Sequence, residues 1–81
     1  MISCQQYDYI EIACMYRYPI KLTMNSGTVI EAKALDTARN ENREECIKVL
    51  MDGNEKLIVL DDIAMIEVTQ SNPHFQTVSL N

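Results

Sequence analysis

Tryptophan is absent from this 81-residue chain, phenylalanine occurs once at Phe75, and histidine occurs once at His74. Glycine is present only at Gly27 and Gly53, and proline only at Pro19 and Pro73. Two glycines this far apart exclude the Gly-rich loops that cradle phosphates. One histidine and three scattered cysteines, Cys4, Cys14 and Cys46, are a very sparse set from which to draw the four ligands of a zinc site. No Cys-x-x-Cys pair occurs, and an odd, widely spaced set suits a reduced chain better than a disulfide scaffold. Positive charge is also scarce: 7 Lys and Arg stand against 12 Asp and Glu, for a net charge of -5. Binding phosphates needs cations, so nucleic acid is disfavoured as the main partner and a basic protein surface is favoured. No run of 18 apolar residues and no charged-then-apolar leader pattern occurs, so a soluble, cytoplasmic protein is expected.

What is present suffices for one small domain spanning residues 1–81, with 47% hydrophobic and 23% charged residues. The opening stretch reads as a helix over about 3–17. Ser3 and Gln6 have the spacing of a capping box. Ile10, Ala13 and Cys14 recur at spacings of three and four and predict the core side, with Arg17 on the same side. Tyr7, Asp8 and Glu11 then share another side, and Asp8 falls early, near the positive end of the helix dipole.

From Tyr16 the period changes to two. Ile20, Leu22 and Met24 alternate with Lys21, Thr23 and Asn25, so a first strand begins near Ile20, after Pro19. Asn25-Ser26-Gly27 turns the chain into a second strand, from Thr28 to about Leu35, with Ile30, Ala32 and Ala34 inward. The polar stretch from Asp36 to Glu44 reads as a loop, either a solvated connector or a contact loop beside the helix. A third strand runs from Glu45 to Met51, and Asp52-Gly53 is a hairpin dipeptide. The apolar run Leu57 to Leu60 predicts a fourth strand buried on both faces. Asp61-Asp62 is turn chemistry, Ala64 to Thr69 a fifth strand, and Phe75 to Leu80 a possible sixth. The expected fold is therefore mainly β with one helix: a small barrel of five to six antiparallel strands over about 20–80, closed or nearly so, with the helix capping one end.

No catalytic constellation emerges, and neither an enzyme nor a cofactor or metal is expected. Cys14 and Cys46 lie in apolar patterns and read as small hydrophobes, and Met15, Met24, Met51 and Met65 read mostly as core filler. Tyr7, Tyr9 and Tyr16 could form a stacking surface for RNA, but the acids between them would repel phosphate.

The stretch Cys4-Gln5-Gln6-Tyr7-Asp8-Tyr9-Ile10-Glu11-Ile12-Ala13-Cys14 resembles the opening of the Rof (YaeO) family, the Rho-specific inhibitors of transcription termination. Cys4, Tyr7, Asp8, Glu11, Ala13 and Cys14 carry the match, followed by Leu22-Thr23-Met24, Gly27 and Glu31-Ala32-Lys33-Ala34 with Asp36. The resemblance implies an Sm-like β-barrel with an N-terminal helix. It also implies a partner, the RNA-binding N-terminal region of the Rho helicase, whose RNA loading such proteins block. The implied partner-binding residues are Gln5, Gln6, Tyr7, Asp8 and Glu11, with Arg39, Asn40 and Asn42 from the polar loop. Gln5 and Gln6 depart from the family, which has two acids there, so the steering charge is smaller. The free protein is expected to be monomeric, with no direct nucleic-acid or membrane partner. The competing readings are an Sm-like RNA-binding module and an acidic adaptor for another basic protein.

Overall fold

Ser3 opens the first element as the spacing predicts. In the computed structural model, which describes residues 2–80, helix α1 (Cys4–Met15) carries both bonds of a capping box. The Gln6 amide N–H donates to Ser3 Oγ at 3.1 Å, and the Ser3 N–H donates to Gln6 Oε1 at 2.7 Å. The first turn holds no acid; Asp8 lies one turn further in, so the expected help from the helix dipole does not arise and capping does that work. Ile10, Ala13 and Cys14 are the buried residues of α1, as the spacing predicts.

Arg17 does not join them. It lies beyond the helix end, exposed, with φ at +53°. The Arg17 N–H donates to the Cys14 carbonyl at 3.1 Å and the Tyr18 N–H to the Ala13 carbonyl at 3.0 Å, a Schellman termination in which glycine is the usual residue. A side chain in left-handed backbone costs free energy that glycine avoids. Arg17→Gly is therefore expected to raise stability by up to about 1 kcal/mol, read as a higher denaturant midpoint at constant slope. A lower midpoint would show that the arginine's contacts outweigh its backbone strain.

Six strands follow: β1 (Pro19–Met24), β2 (Val29–Arg39), β3 (Glu45–Met51), β4 (Asn54–Val59), β5 (Ile63–Val68) and β6 (Thr77–Ser79). They form one antiparallel sheet in the order β4-β3-β2-β1-β5-β6. The expected turns are present. Gly27 sits at φ +93°, and Asp52 and Gly53 both have positive φ, as a two-residue hairpin turn with right-handed twist requires.

Three expectations are corrected. First, β2 does not stop at Leu35. Pairing shifts between Ala34 and Asp36, leaving Leu35 as a bulge, and the strand continues through Asp36↔Lys48 and Arg39↔Glu45. Both pairs oppose unlike charges, and Arg39 reaches Glu45 at 3.7 Å. The first part of the polar stretch, Asp36 to Arg39, is thus strand, and the reversal is confined to residues 40–44. Second, β4 is not buried on both faces. It has one neighbour, β3, and Leu57 is 43% exposed. Third, among the described residues no ladder joins β4 to β6, so the sheet is open and the expected barrel is not closed. β6 contributes three residues, and a 3-10 turn at Leu60–Asp62 carries the chain from β4 back to β5.

The bulge and the sharing of β2 between β1 and β3 bend the sheet, and α1 fills its inner side. Ile20, Leu22, Ala34, Ile47, Val49, Ile63, Ile66 and Val68 form one cluster there with Ile10, Ala13 and Cys14. Among the described residues no helix is long and apolar enough to cross a membrane.

Candidate functional site

The residues singled out on α1 divide by what they touch. Asp8 and Glu11 are exposed, one turn apart, and neither is in an ion pair among the described residues. Gln5 is exposed and donates through Nε2 to Tyr9 Oη at 3.4 Å. Tyr7 is half-buried and packs against the core, so only part of its ring can meet a partner. Gln6 is already engaged. Beyond the capping box, its Nε2 donates to the Ser79 carbonyl at 2.6 Å, tying α1 to β6. A carboxylate at this position could not donate that bond.

The loop residues are likewise largely structural. Asn40 Oδ1 accepts from the N–H groups of Asn42 and Glu44 at 2.9 and 3.0 Å, and Nδ2 donates to Glu44 Oε1 at 2.9 Å. Arg39 faces Glu45, and Asn42 points into solvent with its amide N–H held by Asn40. Ile2 shares a cleft of about 320 Å³ with Glu44, Glu45, Leu60 and Asp61, which sets the start of the helix beside the base of this loop. The structure therefore gathers Gln5, Asp8 and Glu11 on one helix and places the 40–44 reversal near that helix's beginning.

Sequence reasoning missed Asp36 as part of this surface. The bulge at Leu35 re-aims the chain, and Asp36 joins Glu11, Cys14, Met15, Arg17, Leu35 and Thr37 around a cleft of about 350 Å³. The acids make themselves felt at the Cys14 thiol. Burial first, then the charges of Asp36 and Glu11, push it up from 9.0 to about 12, against a smaller opposing effect of Arg17. Above pH 9 the unfolded chain ionises this thiol while the folded chain keeps it neutral. Its contribution to stability is therefore complete below pH 9 and is lost as pH rises toward 12. Denaturant titrations at about pH 8 and about pH 11 should show a steeper loss for the wild type than for Cys14→Ala; equal losses would refute this. Burial also raises the Cys46 thiol, whereas Cys4 is exposed.

The tyrosines do not form one stacking surface. Tyr9 leans on Phe75 with centroids 5.0 Å apart, while Tyr16 stacks on Tyr18 at 5.4 Å and on His74 at 5.0 Å. Nor are all the methionines core filler: Met15 is 71% exposed and Met65 36%. Among the described residues no group of three His, Cys, Asp or Glu side chains could hold a metal ion.

A bent antiparallel sheet, one capped helix and an acidic face beside it define a small sheet-and-helix class. The chain belongs to the family described as "Modulator of Rho-dependent transcription termination (ROF)", whose model matches residues 1–80. It is similar to "Protein rof" of Escherichia coli K12 and of Shigella flexneri, each 31% identical over 77 residues, covering 95% of this chain and 86% of theirs. It is also similar to the solved structure titled "YaeO bound to Magnesium from Vibrio cholerae O395", with TM-score 0.86 and 39% identity, covering 94% of this chain and 99% of that one. The family is one of termination modulators rather than enzymes.

Proposed function

We propose that this protein is a cytoplasmic, Rho-binding antiterminator that docks the acidic face of α1 on Rho's N-terminal RNA-binding region and so blocks RNA loading. The observation that carries the reading is the pair Asp8 and Glu11, exposed and without ion-pair partners among the described residues, on the helix of a chain that belongs to a termination-modulator family. A surface built to hold phosphates is basic, and two free carboxylates at one-turn spacing compete for its cations. Gln5, Tyr7 and the 40–44 reversal extend the contact. Gln6 supports it from behind by holding the helix to Ser79.

The monomeric protein would mask the RNA site sterically, with no chemistry of its own. The direct test is binding to purified Rho, with and without a competing C-rich RNA. Binding that RNA displaces, together with reduced RNA-stimulated ATPase, is the expected result. No effect on that ATPase at saturating protein would end this reading, and a salt-sensitive gel shift with RNA alone would favour an RNA-binding module instead.

A further inference from the structure

Met15 is 71% exposed and Tyr16 52% exposed, the two most exposed large hydrophobic residues described. Met15 lies four residues after Glu11 and seven after Asp8, so it continues their stripe along the helix. It also lines the cleft that Glu11, Leu35 and Asp36 share. Tyr16 is held rather than loose. Its ring stacks on Tyr18 and on His74. The segment carrying His74 is clamped in turn by Asn72, whose Oδ1 accepts from the His74 and Phe75 N–H groups at 2.8 and 3.0 Å. An aromatic fixed in advance gives up little entropy when a partner covers it.

The geometry points to Met15 and Tyr16 as the apolar anchor of the docking face, receiving an arginine-bearing segment of Rho's basic RNA-binding region. This rests on the Rho reading above. Charge complementarity selects the occupant. The cleft presents the carboxylates of Glu11 and Asp36 against the single cation of Arg17, so an incoming cation is favoured. Its walls at Met15 and Leu35 suit the methylenes of a long basic side chain. Arginine fits better than lysine, because a guanidinium can fork onto a carboxylate such as Glu11 or Asp36.

The test is calorimetry of the full chain with purified Rho at low and moderate salt. Met15→Ser and Tyr16→Ser should each weaken binding by about tenfold while keeping the wild-type salt dependence, as an apolar hot spot does. Glu11→Gln should instead flatten that dependence. Thermal melts check folding. If Tyr16→Ser loosens the strap carrying His74, Met15→Ser decides alone, since that side chain stands mostly in solvent. A loss of about threefold or less in Met15→Ser, or a loss accompanied by a flattened salt slope, overturns the anchor and leaves Rho binding standing. Absence of wild-type binding to Rho overturns both.

Discussion

Reversing both charges on α1, Asp8→Lys together with Glu11→Lys, is expected under the proposed function to weaken Rho binding on the order of tenfold to a hundredfold. The two carboxylates are exposed and in no ion pair among the described residues, so they act mainly during approach, when the acidic face meets a basic site. Association should slow, and its dependence on salt should flatten, while dissociation changes less. Stopped-flow measurements at two salt concentrations would show this. Melting should stay near the wild type, because neither side chain reaches the core cluster. Glu31→Lys is the control. Glu31 is exposed on β2 opposite Lys21, on the face of the sheet turned away from α1, and its reversal should leave the approach to Rho nearly intact. If the double variant bound Rho with unchanged affinity, α1 would not be the docking face.

Leu22→Ala is expected to cost about 2–5 kcal/mol. Leu22 is 0% exposed, on β1 at the middle of the sheet, opposite Ile30 on one side and Ile66 on the other. Truncation there leaves a cavity between three strands that hold one another in register, so little collapse can fill it. A chain of 81 residues buries a modest share of its surface and has little stability in reserve. The melting temperature should fall by roughly 4–8 °C for each kcal/mol lost. An unchanged melt would contradict the inward placement of Leu22.

Local signals carried most of this fold. The Ser3–Gln6 capping box, the Gly27 turn and the Asp52-Gly53 hairpin each depend on residues within a few positions, and each is present. Periodicity also separated Ile10, Ala13 and Cys14 from Asp8 and Glu11 correctly. The misses were non-local. Asp36 to Arg39 look like a loop until Lys48 and Glu45 stand across from them, and those partners arrive about ten residues later. Leu57 reads as core until β4 turns out to have no second neighbour. Barrel closure depends on where two distant edges end, which no window of sequence contains. The site followed the same rule. Asp8 and Glu11 were legible because a helix displays its own faces, whereas Asp36 enters the surface through a bulge. The tie of Gln6 to β6 was not legible, because its partner, the Ser79 carbonyl, is 73 positions away.

That bond has a consequence in time. Gln6 is synthesised 73 positions before its partner Ser79. The nascent helix can cap itself at Ser3 at once, but its tie to β6 must wait for translation of the last strand. Pairing of β1 with β5 must also wait for most of the chain. A growing polypeptide therefore carries Asp8 and Glu11 on a helix not yet tied down, and the rigid surface comes into being only once β6 has been made.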